Sequence, residues 1–311
     1  MTGSAWLPAI NLIEVKMIAV QNLTPAAIAA LAVELAPAVA FGCAAERITR
    51  AVQRWPIAAR IAFPALHVLP YMLVSLPHHI FRWQWFLLYA GMPVVIACLL
   101  TQAAAADPEQ RGHWRDATIL LALGLAVDLR WFEGAWPNGL RALNELLLVD
   151  IGLYGFLAIR QLSGTGFDFH LRRSDGKSGL RELLFFTPFV VILGLALGFI
   201  HPHANCPPVG TAALRWLGIF FFTALPEELF FRAWVQNLLE RRVGRRTALL
   251  IASALFGLSH FNKRSAHFNW RYVLLATIAG IFYGRAWREH RRVPASTITH
   301  ASVDWIWGLW F

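Results

Sequence analysis

The chain has 311 residues, of which 57% are hydrophobic and only 15% charged, and its mean hydropathy is +0.50. Soluble domains carry about 25% charged residues, so this composition excludes an ordinary soluble protein and indicates one embedded in lipid. The formal net charge of +10 comes from short arginine clusters between apolar runs. Because these clusters form no stripe interleaved with aromatic residues, a nucleic-acid partner is excluded.

The apolar runs are long and continuous rather than alternating, and a lipid-exposed backbone must form helices or a closed barrel. We therefore expect an all-α, polytopic membrane helix bundle. Stretches of about 20 apolar residues predict about ten transmembrane spans, at 24–43, 55–77, 84–106, 114–129, 143–162, 182–201, 211–239, 247–262, 272–287 and 294–311. The first twenty residues contain Glu14 and Lys16 but no basic start before an uninterrupted apolar stretch, so no cleaved signal peptide is expected.

The basic residues predict the orientation, because cytoplasmic loops are enriched in Lys and Arg. When the spans alternate, four clusters fall on one side: Arg47, Arg50, Arg54 and Arg60; Arg160, Arg172, Arg173, Lys177 and Arg181; Arg241, Arg242, Arg245 and Arg246; and Arg285, Arg288, Arg291 and Arg292. Two groups are exceptions, namely Lys263, Arg264 and Arg271, and more weakly Arg130 and Arg141. We expect an integral protein of the bacterial inner (plasma) membrane with both termini on the outer face.

A longer loop at 163–179, rich in glycine and charge, predicts a boundary between two groups of spans. Residues 1–165 are predicted to form an N-terminal accessory group of spans, and residues 178–311 a core that performs the chemistry. The chain contains no internal repeat, which disfavours a transporter built from inverted repeats.

Ionisable residues inside apolar spans are costly and are therefore functional candidates. The segment from Ala224 to Arg232 places two adjacent glutamates and an arginine in an apolar run. Glu228 and Arg232 share one helical face, whereas Glu227 points about 100° away. This pattern predicts that Glu228 is paired and that Glu227 is available as a base.

Two later spans carry histidines. The first ends in Phe256-Gly-Leu-Ser-His260, and the last contains His300 and Asp304, four residues apart on one face. Three helices could thus direct a carboxylate and two imidazoles into one cavity, where the carboxylate deprotonates water and imidazole or amide donors stabilise an oxyanion. Asp128, Glu145 and Asp150, in earlier spans, are interpreted as polar contacts of the bundle, with substrate or proton handling as the alternative.

The same residues allow other functions. The buried charges could form a structural or proton-coupled network in a non-catalytic, scaffold or transport protein. His260, His300 and one carboxylate could instead be the three protein ligands of a catalytic zinc, although the chain has no HExxH pair on one helix. A metal-free site without a cofactor is the expectation.

In their order along the chain, Glu227-Glu228-x-x-x-Arg232, Phe256-x-x-x-His260 and His300-x-x-x-Asp304 resemble the CAAX prenyl protease and bacteriocin-processing (CPBP) family. Ala279-Gly-Ile-Phe-Tyr-Gly-Arg285 resembles the family's link between the last two motifs, and the likeness covers about 181–308. The resemblance implies a glutamic-type intramembrane endopeptidase acting on a membrane-anchored protein or peptide.

By the same resemblance, Glu227 activates water, and Glu228 with Arg232 helps to position it. His260, His300 and residue 304 line the site or hold the oxyanion. Members often have Asn where this chain has Asp304, and an ionised Asp cannot donate a hydrogen bond. Prenylated CAAX proteins, a bacteriocin leader and a C-terminal sorting signal are all compatible substrates.

Overall fold

The computed structural model describes residues 24–203, 207–263, 265 and 267–311. Within these ranges the chain forms ten long helices and no strand, so the predicted all-α class is confirmed. They are α1 (Pro25–Gln53), α2 (Ile57–Ser75), α3 (Trp83–Ala106), α4 (Trp114–Asp128), α5 (Ala142–Ile159), α6 (Arg173–Ala196), α7 (Val209–Val243), α8 (Arg245–Leu258), α9 (Trp270–His290) and α10 (Val293–Trp310). Each helix overlaps one predicted span. Glu14, Lys16 and Arg264, which the sequence analysis uses, lie outside the described residues.

Length and apolarity divide these helices into two groups. In the described part of the chain, α1, α2, α3, α5, α6 and α7 are long and apolar enough to cross a membrane, as an integral membrane protein requires. Helices α4 and α8 have only 15 and 14 residues. At 1.5 Å per residue these are shorter than the roughly 30 Å hydrocarbon core. For α4, α8, α9 and α10, crossing the membrane stays a prediction.

The basic clusters gather at one end of the bundle. Three hydrogen bonds join segments that carry them or lie beside them: Arg241 Nη2 to the Ser163 carbonyl (2.6 Å), Arg245 Nη2 to the Arg288 carbonyl (3.3 Å) and Tyr154 Oη to the Arg60 carbonyl (2.9 Å). The loop after α8 contacts the end of α4 instead, where Asn262 Nδ2 donates to the Asp128 carbonyl at 2.8 Å. The cytoplasmic location of the basic end stays a prediction.

The second half of the predicted boundary loop is helical. Helix α6 begins at Arg173, nine residues before the predicted start at 182. Asp175 explains the early start, because it accepts a hydrogen bond from the Arg172 backbone N–H at 2.9 Å and caps the first turn. Asp175 also accepts from Arg292 Nε at 3.0 Å, which ties the start of α6 to the turn before α10. The sequence could not reveal this partner, 117 residues away.

The N-terminal helices pack directly against α7. The Trp234 ring of α7 stacks on Phe156 of α5 with ring centroids 5.3 Å apart. Gly152, one turn earlier in α5, leaves room for this indole, since a Cβ there would collide with it. The remaining part of the boundary loop is also attached, because Trp287 Nε1 donates to the Thr165 carbonyl at 3.0 Å. The two groups of spans therefore share one apolar core, and a separate accessory role for residues 1–165 stays a prediction.

Candidate active site

Helix α7 has irregular turns around its two glutamates. Residues Phe220–Ala224 and Leu229–Gln236 are π-helical, and they enclose one α-helical turn, Leu225–Glu228. Pro226 lies in this turn and has no N–H, so it removes one helical hydrogen bond and favours a widened turn before it. π-Turns within helices are frequent at functional sites. The sequence predicts a regular helix here, because no residue periodicity marks such turns.

Glu228, Arg232 and His300 form a buried chain behind the cavity wall. The Glu228 and Arg232 side chains are 0% exposed, and Arg232 Nε lies 3.2 Å from Glu228 Oε2. The other carboxylate oxygen, Oε1, lies 2.9 Å from His300 Nδ1. Because a carboxylate can only accept, Nδ1 is the donor of this hydrogen bond. Glu228 thus connects the guanidinium of its own helix to the imidazole of α10.

Aromatic side chains surround this chain. The Tyr283 ring of α9 stacks on the His300 imidazole, with centroids 4.5 Å apart and planes at 17°. Phe256 of α8 contacts the same imidazole edge-on at 5.5 Å, and the Arg232 guanidinium lies over Phe256 at 4.8 Å. Arg232 Nη2 donates to the Gly280 carbonyl at 3.3 Å. These contacts give His300 a single orientation and leave its Nε2 facing away from Glu228.

Glu227 lies on the cavity side of the same helical turn, and its side chain is 21% exposed. Its Oε2 is 3.9 Å from His300 Nε2, and its Oε1 is 3.9 Å from Lys263 Nζ. Asp304 reaches the same imidazole nitrogen, with Oδ2 3.5 Å from His300 Nε2. His300 is therefore flanked by three carboxylates, one on Nδ1 and two near Nε2.

His260 is buried just beyond the end of α8 and faces the same cavity. Its Nδ1 lies 2.8 Å from the Phe256 carbonyl, so Nδ1 carries the hydrogen of this bond. In the neutral imidazole the other nitrogen, Nε2, is then an acceptor. The Tyr272 ring, 4.7 Å away, closes the other side of His260.

The predicted site residues on the three helices meet at one cavity of about 510 Å³. Glu227, His260, His300 and Asp304 line it, whereas Glu228 and Arg232 lie buried behind its wall. The N-terminal helices supply a second wall that the sequence analysis did not assign, with Asp128, Arg130, Glu133 and Glu145. Asp128 and Glu145 are thus cavity residues as well as bundle residues, while Asp150 is buried in α5.

Tyr283 and Lys263 also line the cavity, but little in the sequence marked them as site residues. Tyr283 belongs to the 279–285 segment, where an aromatic residue in an apolar helix gives no sign of a functional role. Lys263 was visible only as an exception to the charge rule, three residues after His260. Asp128 and Glu145 stood out as ionisable residues in apolar spans, but which helices are neighbours cannot be inferred from one sequence, so their place in the cavity wall could not be predicted.

The zinc alternative requires three protein ligands around one point. Among the described residues, no three His, Cys, Asp or Glu side chains are grouped so that they could hold a metal ion. The two histidines use Nδ1 for the Phe256 carbonyl and for Glu228, an arrangement that also occurs in histidines whose Nε2 binds a metal. The metal-free expectation therefore stays a prediction.

Comparison with protein families finds one model that matches the part of the chain containing this site. The family model described as type II CAAX prenyl endopeptidase Rce1-like matches residues 208–306. No match to the chain was found among curated proteins or among solved structures. The matched segment runs from the start of α7 into α10 and contains all six predicted site residues, together with the 279–285 segment. Residues 208–306 are therefore similar to the type II CAAX prenyl endopeptidase Rce1-like family, in agreement with the resemblance that the motifs predicted.

Proposed function

We propose that the protein is a glutamic-type intramembrane endopeptidase that hydrolyses a peptide bond near a membrane-anchored segment of its substrate. One observation carries the proposal, namely that Glu227, His260 and His300 line a single cavity within a segment that matches a protease family. The cavity has an apolar side, with Val190, Ile200 and Trp307 among its residues, as a substrate emerging from lipid requires. We also place the protein in the bacterial inner membrane with both termini outside.

In this mechanism Glu227 is the general base. A water molecule beside the Glu227 carboxylate loses a proton to it, and the water oxygen attacks the carbonyl carbon of the scissile bond. The carbonyl π electrons move to oxygen and form an oxyanion. When this tetrahedral species collapses, the C–N bond breaks and the proton held by Glu227 passes to the leaving amine. Product acid and amine together contain the atoms of peptide and water.

His300 is the group best placed to stabilise the oxyanion. Glu228 accepts from its Nδ1 and Arg232 holds Glu228, so the imidazole is fixed from behind with Nε2 toward Glu227. Because Nδ1 already donates to Glu228, Nε2 carries a proton only in the doubly protonated imidazole, which the three flanking carboxylates stabilise, and that proton can be donated to the oxyanion. Glu228 and Arg232 are positioning residues in this scheme, because they hold the imidazole and do not touch the water. This role differs from the direct positioning of water that the family resemblance implies.

His260 is suited to a different role from that of His300. Because Nδ1 donates to the Phe256 carbonyl, the neutral imidazole offers only an acceptor to the cavity. An acceptor can orient the attacking water or bind an N–H of the substrate backbone. It can hold an oxyanion only when the imidazole is doubly protonated.

The experiment that tests the proposal compares Glu227→Gln with Glu109→Gln in reconstituted protein. Glu227→Gln keeps the shape of the side chain but removes the base, so the protein should accumulate normally and lose cleavage of a fluorescence-quenched prenylated CAAX peptide. Glu109 has a side chain 67% exposed and paired with Arg111, so Glu109→Gln should cleave like the wild type. Equal rates for wild type and Glu227→Gln would rule out Glu227 as the base. Peptides that carry a bacteriocin leader or a C-terminal sorting signal would distinguish the substrate classes.

A further inference from the structure

Lys263 is one of the few basic residues that break the charge rule, together with Arg264, Arg271, Arg130 and Arg141. It lies on the loop after α8, at the end of the bundle away from the four arginine clusters. The structure places its side chain at the cavity, with Nζ 3.9 Å from Glu227 Oε1. Membrane topology does not explain this exception, whereas a role for a cation beside the proposed base does.

The loop holds Lys263 from both sides. The Lys263 backbone N–H donates to the His260 carbonyl at 3.3 Å, and the Lys263 carbonyl accepts from Asn269 Nδ2 at 3.1 Å. Asn269 is itself fixed, because its Oδ1 accepts from the Tyr272 N–H at the start of α9. On the other side, Asn262 Nδ2 donates to the Asp128 carbonyl at 2.8 Å. The ammonium group is thus presented from an anchored backbone rather than from a free loop.

The charges around Glu227 explain why this cation matters. Glu228 and Asp304 add negative charge to the site, and Arg232 is already paired with Glu228. Positive charge can reach Glu227 from Lys263 on Oε1 and from His300 on Oε2. Among the described residues, His260, Tyr283 and the buried Arg232 also interact with Glu227 electrostatically, and Asp128, Arg130, Glu133 and Glu145 line the same cavity.

We propose that Lys263 is a positioning residue that keeps Glu227 ionised and turns its carboxylate toward His300. The inference rests on the proposed function, since it assumes that Glu227 is the base. Lys263 holds Oε1 from the loop side, which directs Oε2 toward the imidazole where the attacking water is activated. An opposite charge this close favours the ionised carboxylate, and only an ionised Glu227 can take a proton from water.

The test is the pH dependence of kcat/KM for Lys263→Met, Lys263→Arg and Arg271→Met. Lys263→Met keeps most of the side-chain length but removes the charge. The acid limb of its pH profile of kcat/KM should move to higher pH by about one unit. This is the lower end of the effect of an adjacent opposite charge, because both side chains are partly exposed. Lys263→Arg should keep the wild-type limb. Arg271 follows the same loop, at the start of α9, and its guanidinium packs over Trp270. Arg271→Met should therefore not move the acid limb either.

A thermal-stability cycle tests the pair without any cleavage. Lys263→Met should lower Tm in the wild-type background but not in the Glu227→Gln background, where the partner has no charge. The cycle distinguishes two failures. If the proposed function is wrong, cleavage is absent but the Tm cycle still shows the Lys263–Glu227 pair. If the pair does not form, the Tm cycle itself shows it. An unmoved acid limb, an equal loss of activity at every pH, or the same Tm change in both backgrounds would each overturn the inference.

Discussion

His300 Nδ1 donates a hydrogen bond to Glu228 Oε1 at 2.9 Å, across 72 residues of sequence and between two different helices. This bond connects the paired glutamate motif of α7 to the histidine motif of α10. Because Glu228 is also paired with Arg232, the imidazole, the carboxylate and the guanidinium form one buried unit. Loss of any member leaves a charged or polar group without compensation, which is costly inside a protein.

Arg232→Ala should therefore reduce the amount of folded protein. Removing the guanidinium leaves Glu228 buried with only the imidazole as partner, and breaking a buried pair costs about 3–5 kcal/mol. Arg111→Ala is the matched control, because the Arg111–Glu109 pair is exposed and such pairs contribute about 0–1 kcal/mol. Yield and Tm in detergent measure both effects. Equal Tm values for the two variants would show that the buried unit contributes nothing to stability.

Gly257→Ala should destabilise the contact between α8 and α9. A Cβ at this position would lie 2.6 Å from the Val273 carbonyl oxygen and would overlap Thr277 Oγ1. Overpacking of this kind costs about 1–3 kcal/mol, and the displaced α8 carries Phe256 and His260, so cleavage should fall as well. Gly91→Ala, in open space within α3, should raise stability by about 0.4–1 kcal/mol. A Tm for Gly257→Ala at or above that of Gly91→Ala would contradict the packing argument.

The sequence was sufficient to predict elements that depend on local composition. Apolar runs gave the ten helices, and the four-residue spacings of Glu228 with Arg232 and of His300 with Asp304 gave two contacts that the structure contains. It could not predict contacts that depend on the neighbours of each helix. The stacking of Tyr283 on His300 and the charged wall from α4, the following loop and α5 are of this kind. The early start of α6 was missed because Arg292, the second partner of Asp175, is 117 residues away in the sequence.

Reporter fusions test the orientation. Fusions in the loops around Arg173, Arg242 and Arg288 should all report the cytoplasm, because the basic clusters gather at one end of the bundle and positive loops remain inside. A fusion at Asn205, which lies outside the described residues, should report the opposite side, as should one after His267. If Asn205 and Arg242 reported the same side, α7 would not cross the membrane and the site model would fail.

Protonation of Asp107, in the loop after α3, should lower the stability of the fold in acid. Burial raises the pKa of Asp107, but the backbone amides of Arg111 and Gly112 and the Arg160 guanidinium lower it more, so the pKa lies below its ordinary value. Arg160 Nη2 donates to Asp107 at 2.6 Å. A depressed carboxyl pKa stabilises the fold above the unfolded value, about pH 4, and this contribution is lost as pH falls through the folded value.

The corresponding measurement is Tm against pH for wild type and Asp107→Asn. The variant should melt lower than the wild type near neutral pH, and the difference should shrink below about pH 4, where the ordinary aspartate titrates. Glu109→Gln, a neighbouring exposed carboxylate, should show no such difference. A gap between wild type and Asp107→Asn that stays constant into acid would mean that the Asp107 charge does not contribute.

Asp304 provides the test of mechanism, because it is the departure from the family pattern. Its Oδ2 lies 3.5 Å from His300 Nε2, so it can orient the imidazole by accepting a hydrogen bond. Asn also offers an acceptor and adds a donor, and family members with Asn at this position agree with that role. Asp304→Asn should therefore keep substantial activity, whereas Asp304→Leu, of similar size without polar atoms, should lose most of it.

A zinc mechanism predicts the opposite for Asp304→Asn. If Asp304 bound zinc, loss of its charge should weaken metal affinity sharply, and strong chelators should silence the wild type. We expect a metal-free mechanism, because the two histidines come from separate helices and the chain has no HExxH pair on one helix. The decisive assay measures cleavage by purified wild type and Asp304→Asn in detergent, with and without chelator, alongside metal analysis. Stoichiometric zinc, with chelator-sensitive activity that added zinc restores, would overturn the metal-free mechanism and the assignment of Glu227 as a base acting without a metal.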